Sequence, residues 1–104
     1  MDTSIYFKKS DLIPAIVQHF ETKEVLMVGF VNEEALKLTL ETKKGWFFSR
    51  SRNKLWMKGE SSGNVLHIKE VYGDCDDDTL LYIVDPVGPT CHTGNNTCFF
   101  KKII

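Results

Sequence analysis

Three cysteines are the first residues in this sequence that can do chemistry. Cys75, Cys91 and Cys98 are the only cysteines in the chain. Their odd number and the lack of a CxxC pair argue against a disulfide framework and against a zinc finger. A structural zinc site normally has four protein ligands, whereas a catalytic one often has three and a water molecule, so three thiolates suit the second type. The alternative is that they are small buried hydrophobic residues, which is common for free cysteine.

Four aspartates surround the first of these cysteines, in the stretch YGDCDDDTLL. In an extended chain the carboxylates of Asp74, Asp76 and Asp78 share one face, and Cys75 faces the other way. Clustered carboxylates repel one another unless a hard cation neutralises them, and oxygen ligands suit Mg²⁺ or Ca²⁺. An EF-hand loop is excluded, because Thr79 stands where that loop requires glycine. A solvated acidic turn without a metal is the alternative.

A basic segment, SRSRNKLWMKGESSG, can hold phosphate. Six basic residues and no acidic ones lie from Lys43 to Lys58, whereas six acidic residues and no Lys or Arg lie from Glu70 to Phe100. A single charge run is more often a solvated face, but opposed blocks suit a phosphorylated substrate together with a divalent cation. The predicted substrate contacts are Ser49, Arg50, Arg52, Lys54, Trp56, Lys58, Glu60, Ser61, Ser62 and Gly63.

Two details of this segment bear on its role. In a strand Arg50 and Arg52 share a face, so they can hold one phosphate group. Trp56 can stack on a base, and a place in the core is an equally good interpretation.

The three histidines differ in their predicted roles. His92 directly follows Cys91 and is the candidate for moving a proton beside a metal-bound water. His19 and His67 lie in strand-like runs, which favours a structural role. The string His19-Phe20-Glu21 matches the H-x-E of zinc deaminases, but their P-C-x-x-C is absent, so the match is accidental.

Strands and one helix must position these residues. Apolar and β-branched runs predict strands over 13–20, 25–31, 46–49, 54–58, 65–72 and 79–85, with a turn at ETKE between the first two. Asn32 is a good N-cap, and Leu36 and Leu40 share an apolar face. Gly45 is a natural residue just past the end of this helix, which we place near residues 33–44. The segment CHTGNNTCFFKKII is expected to turn at GNN and to end in a last strand. The fold class is therefore mostly β (α+β), with mixed or antiparallel strands.

Length and composition set further limits. A chain of 104 residues is expected to form a single domain over 1–104. The net charge of −1 argues against a general nucleic-acid binder. The N-terminal stretch lacks the apolar region of a signal peptide, and no run approaches the ~20 apolar residues of a membrane span, so we expect no membrane association and a cytoplasmic location. Thiols stay reduced there and are available as ligands.

The motifs together resemble one family, the phosphoribosyl-AMP cyclohydrolases of histidine biosynthesis. The matching pieces are LIPAIVQ, EVLMVGFVNEEAL, FFSRSRNKLWMKGESSGN, DCDDDTLL and GPTCHTGNNTCF, in the family's order from about Leu12 to Phe99. The combination of DCDxD with GPxCHxG and a second cysteine seven residues on is specific. Departures occur at Ser61, Asp77 and near Thr97, and none touches a proposed ligand.

The resemblance implies two metals and a dimer. It implies Zn²⁺ on Cys75, Cys91 and Cys98, and Mg²⁺ on Asp74, Asp76 and Asp78. It also implies an intertwined homodimer whose zinc ligands come from both subunits. The implied substrate is phosphoribosyl-AMP, whose adenine ring is opened by hydrolysis of the N1–C6 bond, with His92 as the candidate base. The chain is also similar to the cyclohydrolase half of bifunctional enzymes, so it is either a monofunctional enzyme or an excised domain.

Two other hypotheses remain open at the level of sequence. One is a zinc hydrolase that acts on a related purine or amidine. The other is a non-enzymatic domain in which zinc only joins two subunits, a site that would need a fourth protein ligand such as His92.

Overall fold

The computed structural model describes residues 2–104 and contains six strands and one α-helix. The elements follow the order β1 (Ile13–His19), β2 (Val25–Val31), α1 (Glu33–Thr42), β3 (Trp46–Ser49), β4 (Lys54–Met57), β5 (Leu66–Gly73) and β6 (Leu80–Pro86). A short 3₁₀ helix, Thr3–Phe7, precedes them and was not predicted. The prediction of a mostly β, α+β fold with one main helix is confirmed.

The strands form two sheets. The larger has four strands in the order β2-β1-β6-β5, and the smaller is the β3–β4 hairpin. β1 runs parallel to β6, whereas the other neighbours are antiparallel, so the large sheet is mixed as expected. The parallel pairing of β1 with β6 joins the two antiparallel hairpins at the centre of the sheet, and the loops before and after β6 lie at opposite ends of it.

The start of the helix follows the prediction and its end does not. Asn32 Oδ1 accepts a hydrogen bond from Ala35 N at 2.9 Å, which caps the first turn. At the other end Lys43, not Gly45, takes the left-handed conformation, with φ of 59°, and its N–H donates to Thr39 O. The helix therefore ends at Thr42. Gly45 instead donates its N–H to Leu66 O, in a position where an added Cβ would lie 3.3 Å from the Leu66 side chain.

One face of the large sheet is covered by the helix and by the β3–β4 hairpin. Ala15, Val17 and Tyr82 point from neighbouring strands into this core and are fully buried. Phe47 of β3 packs over the sheet at Gly29, where an added Cβ would lie only 2.4 Å from the ring. Glycine at this position therefore allows the hairpin to approach the sheet.

The opposite face of the sheet carries an apolar row that lies open. Ile16 pairs with Val28 on one side and with Leu81 on the other, and Leu81 pairs with Tyr72. Val28 is 44 % exposed and Tyr72 is 53 % exposed. We call these four residues the apolar row.

The prediction of a last strand was wrong. Residues 91–104 contain no strand, although the chain turns between Cys91 and Gly94, close to the predicted GNN turn. Thr97 bonds to Val25 O through its hydroxyl, at 2.6 Å, and Cys98 N donates to Leu26 O at 2.7 Å. The Thr97 hydroxyl thus donates to a carbonyl that would accept from a backbone N–H in a strand pair. This segment therefore does not form a strand next to β2.

Candidate functional site

The loop of residues 90–98, which we call the cysteine loop, brings two thiols together. Cys91 N donates to Asn95 O at 3.1 Å, and Thr90 N donates to Asn96 O at 3.4 Å, so the loop folds back on itself. Gly94 has φ of +95° at the turn, a conformation that glycine adopts without strain. Cys91 and Cys98 then lie close enough across the loop for each thiol to change the pKa of the other.

The two thiols have different electrostatic surroundings. The Thr93 hydroxyl donates to Cys91 Sγ at 3.1 Å and lowers the pKa of the Cys91 thiol, and the charge of Lys58 adds to this effect. Partial desolvation raises the pKa of the Cys98 thiol, and the neighbouring Cys91 raises it further. Cys91 is thus the thiol that ionises first, and a thiolate is the form that binds metals.

Cys75 lies apart from this pair. It is exposed in the loop that precedes β6, whereas Cys91 follows the same strand. A seven-residue strand spans roughly 20 Å, so the two cysteines lie at opposite ends of the sheet. One chain therefore brings together two of the three cysteines named from the sequence.

The loop between β5 and β6, residues 74–79, brings the three aspartates together, and we call it the aspartate loop. Carboxylate oxygens of Asp74, Asp76 and Asp78 all lie within 4.8 Å of one another. Within residues 2–104 this is the only group of three or more His, Cys, Asp or Glu residues that is so closely spaced. Oxygen atoms at this spacing suit a hard divalent cation.

The reason for this convergence is not the one that the sequence suggested. The three residues do not share a face of a strand. They lie in a turn in which Asp77 has φ of 59°, and Asp74 Oδ1 accepts hydrogen bonds from Asp78 N at 3.0 Å and from Thr79 N at 3.1 Å. The strand interpretation was wrong because the backbone reverses direction here to enter β6.

The carboxylates of the aspartate loop perturb one another. Hydrogen bonds from the loop backbone, first from Asp78 N, lower the pKa of Asp74. The hydrogen bond and negative charge shared with Asp74 raise the pKa of Asp76. Lys9 approaches from the N-terminal segment, with its Nζ 2.9 Å from Asp76 O and 3.3 Å from Asp78 Oδ2. No local sequence signal pointed to Lys9, because it lies 67 residues away in the chain.

Part of the basic segment lines an open cleft. This cleft has a volume of about 560 Å³ and is lined by Phe30, Phe48, Ser49, Arg50, Ser51 and Trp56. The Arg50 guanidinium lies 3.9 Å from the centre of the Phe30 ring. Trp56 also packs against Phe47, with ring centres 5.2 Å apart, so it belongs both to the core margin and to the cleft. The aromatic walls Phe30 and Phe48 were not predicted.

The predicted substrate residues do not form one patch. Ser49 pairs with Lys54 at the tip of the β3–β4 hairpin, and Arg50 and Arg52 lie in the turn there, not in a strand. The remaining residues follow the other end of β4, in turns, and they are Lys58, Glu60, Ser61, Ser62 and Gly63. Four strand residues separate the two groups by roughly 13 Å. The second group lies on the side of the cysteine pair, whose pKa values Lys58 influences.

The histidines occupy three different settings. His92 is exposed in the cysteine loop, next to Cys91. His19 Nδ1 accepts hydrogen bonds from Glu21 N at 3.0 Å and from Thr22 N at 3.3 Å, which closes the β1–β2 turn and supports the predicted structural role. His67 lies in β5, paired with Asp85 of β6.

Among the helices of residues 2–104, none combines the length and the apolar character that a membrane crossing requires.

Together these features define a class of protein. It is a small α+β fold with two candidate metal-binding clusters, one of soft thiols and one of hard carboxylates, and a separate basic aromatic cleft. The family model described as phosphoribosyl-AMP cyclohydrolase matches residues 27–100. The chain belongs to this family of enzymes, as its motifs indicated.

Individual relatives agree with this assignment. A phosphoribosyl-AMP cyclohydrolase of Nitrosopumilus maritimus is 52 % identical over 103 residues, which cover 99 % of this chain and 95 % of the relative. One from Syntrophotalea carbinolica is 60 % identical over 96 residues, which cover 91 % of this chain and 77 % of the relative. The histidine biosynthesis bifunctional protein HisIE of Caldanaerobacter subterraneus is 56 % identical over 96 residues, which cover 92 % of this chain but 47 % of that protein.

Proposed function

We propose that this protein hydrolyses the N1–C6 bond of the adenine ring of phosphoribosyl-AMP, in histidine biosynthesis. The oxygen of water becomes the carbonyl oxygen of a carboxamide at C6. One proton of that water ends on N1 and the other on the exocyclic nitrogen, so the open ring is the formimino imidazole carboxamide. Membership of the family supports this activity. The observation that carries the proposal is the paired thiols Cys91 and Cys98 beside His92, because they provide metal ligands and a proton carrier in one loop.

The residues fit a zinc ion. Cys91 and Cys98 supply two soft ligands at close range, and hydrogen bonding from Thr93 favours the thiolate form of Cys91. Zinc at a site with an open position lowers the pKa of water from about 15.7 toward about 7, which gives a nucleophile at neutral pH. His92 is exposed next to this pair and is the residue that accepts a proton from the attacking water and returns it to N1.

The third thiolate is supplied across a homodimer. Cys75 cannot reach the cysteine loop of its own chain, because the length of β6 separates them. In a two-fold dimer, Cys75 of the partner subunit joins Cys91 and Cys98, and two equivalent sites form. The apolar row Ile16, Val28, Leu81 and Tyr72 is a suitable contact surface, since exposed apolar side chains in a continuous row mark association sites.

The residues of the aspartate loop fit Mg²⁺. Three carboxylates lie within 4.8 Å of one another, and the hydrogen bond with Asp74 and the negative charges of its neighbours raise the pKa of Asp76. These carboxylates would hold a hard cation, which would supply positive charge for a phosphate or oxygen ligation for a ribose of the substrate. Arg50 lines the aromatic cleft and binds a second phosphate, while Trp56 offers a stacking surface. In this proposal one phosphate is bound at the basic hairpin tip, and the other phosphate or a ribose is bound at the aspartate loop.

The direct test is turnover. Purified protein loaded with Zn²⁺ and Mg²⁺ should open phosphoribosyl-AMP, which is followed by ultraviolet absorbance, and Cys91→Ala should not. The fold of the variant is checked by circular dichroism and its oligomeric state by size-exclusion chromatography. Turnover by the wild-type protein no faster than by Cys91→Ala would refute the proposed function. Loss of the fold in the variant would instead favour a zinc ion that only joins subunits.

A further inference from the structure

A third polar surface lies next to the cysteine loop and belongs to neither candidate metal cluster. It is a cleft of about 250 Å³ between the β1–β2 turn and the segment after β6. His19, Thr22, Glu24 and Leu26 line one wall, and Pro86, Gly88 and Asn96 line the other. None of these residues is a predicted substrate contact or metal ligand.

The hydrogen bonds of His19 determine what it offers to this cleft. Its Nδ1 accepts from Glu21 N and Thr22 N, so Nδ1 carries no proton. In the neutral imidazole the proton then resides on Nε2, which becomes a donor. The main chain of the turn is held as well, since His19 N donates to Glu24 O at 2.8 Å. His19 lines the cleft, and the hydrogen bonds of the turn set the tautomer of its ring, with the donor at Nε2.

The charge of the cleft selects the kind of group that it accepts. Glu24 is the one acidic side chain among the described residues that line it, and no Lys or Arg lines it. A phosphate would be repelled there. Vicinal hydroxyls suit a carboxylate acceptor, and the donors His19 Nε2–H and the Asn96 amide can bind the hydroxyl oxygens. This set of groups matches a ribose.

The cleft and the cysteine pair share a wall. Leu26 lines the cleft, and its carbonyl accepts from Cys98 N at 2.7 Å. Asn96 lines it as well, and its carbonyl accepts from Thr90 N, next to Cys91. A ligand held in the cleft is thereby placed beside the thiols.

We propose that this cleft binds a ribose of the substrate, with Glu24 accepting from its hydroxyls and His19 Nε2–H donating to it. The inference rests on the proposed function, since it assigns the ribose of that substrate to a site. It gives His19 a role in substrate binding in addition to its place in the turn.

Two substitutions at His19 separate binding from structure. In His19→Asn the amide oxygen replaces Nδ1 as acceptor and keeps the turn, but the donor at Nε2 is lost. This variant should raise the KM for phosphoribosyl-AMP about 5- to 10-fold, the usual value of one hydrogen bond, without a change in melting temperature. His19→Gln restores a donor near Nε2 and loses the acceptor, so it should keep a KM close to that of the wild type and melt at a lower temperature. An unchanged KM in His19→Asn would overturn the assignment.

Glu24 is tested with a matched control. Calorimetry compares AMP with its 2′,3′-dideoxy analogue, and the wild-type protein should bind AMP more tightly, a preference that Glu24→Gln removes. Glu21→Gln removes an acid from the same turn but outside the cleft, and it should keep the preference. Equal affinities in the wild type, including no binding of either nucleotide, or an equal loss in both variants, would contradict a ribose contact.

The two proposals fail in different ways. If the wild-type protein distinguishes the two nucleotides but does not open phosphoribosyl-AMP, the proposed function is refuted and ribose binding in the cleft is supported. If the wild-type protein opens the ring and His19→Asn has an unchanged KM, ribose binding in the cleft is refuted and the proposed function is supported.

Discussion

The aspartate loop and the cysteine loop differ in how many candidate metal ligands each brings together within one chain. In the aspartate loop one turn of a single chain brings three carboxylates within 4.8 Å of one another, held by the backbone N–H groups of Asp78 and Thr79. In the cysteine loop a turn brings together two thiols, and the third cysteine lies at the other end of β6. A cluster that is local in sequence can form within a monomer, whereas the proposed cluster of three thiols, split across a strand, would require the second chain of the proposed dimer.

The largest expected effect tests whether zinc ligands come from two chains. Cys75→Ala and Cys91→Ala should each reduce turnover by more than about 100-fold, because loss of a ligand exceeds the 10- to 100-fold cost of changing a group that only orients one. In a mixed dimer one site contains both substitutions and the other contains neither. Mixing the two variants after reversible dissociation should therefore restore about one quarter of wild-type turnover.

A mixture as inactive as its components would place all three ligands in one chain. The control is a mixture of Cys91→Ala with Cys98→Ala. Both changes lie in the same loop, so each site of their mixed dimer lacks a ligand and no turnover should return.

The next effect concerns the apolar row. Val28→Glu places a charge in the proposed dimer contact, at a side chain that is 44 % exposed and so does not disturb the core. We expect monomers in size-exclusion chromatography, most of the bound zinc lost and Mg²⁺ binding retained, because the aspartate loop is complete in one chain. Val87→Glu is the control, since Val87 is also exposed but lies outside the row. A Val28→Glu dimer with full zinc content would place the contact on another surface.

A smaller effect distinguishes the two clusters chemically. Asp76→Asn should weaken Mg²⁺ binding about tenfold, because the amide keeps an oxygen ligand but loses the negative charge, and leave the zinc content unchanged. Because neighbouring carboxylates raise the pKa of Asp76, protons compete with the metal at higher pH than for an ordinary aspartate. The Mg²⁺ affinity of the wild type should thus fall as the pH drops toward that raised pKa. Calorimetry and metal analysis measure both quantities, and equal loss of the two metals would show that the clusters are not separate.

The smallest effect is on stability. The pKa of Asp74 is lowered by the backbone N–H groups it accepts from, so its ionised form stabilises the fold. This stabilisation is present above the unfolded pKa, whose ordinary value is 3.8, and is lost as the pH falls through the lowered value. Asp74→Asn should lower the melting temperature slightly at pH 7 and leave it unchanged in strong acid. Asp77→Asn, in the same loop, serves as the control, and an equal shift in both variants would exclude the specific capping role.

The type and order of the secondary-structure elements could be predicted because they depend on local sequence patterns. The six strands alternate or are continuously apolar, and Asn32 caps the helix, so element type and order follow from neighbouring residues. The left-handed Lys43 was missed because glycine two residues later looked like the better end. The last strand was missed because Thr97 bonds through its side chain where a ladder would use the backbone.

The candidate site also has features that follow from the sequence and features that only the tertiary structure shows. The sequence by itself determined the family, through several motifs in a fixed order, and it determined the acidic residues and the two cysteines of the cysteine loop, because each of these groups lies within one short stretch. The tertiary structure alone decided that the basic segment splits between two ends of a hairpin, that Lys9 meets Asp76 and Asp78, and that His19 and Asn96 line one cleft. It also decided that Cys75 lies far from Cys91. The contacts of Lys9 with the aspartate loop and the shared cleft of His19 and Asn96 depend on the parallel pairing of β1 with β6, which joins distant parts of the chain and which no local pattern encodes.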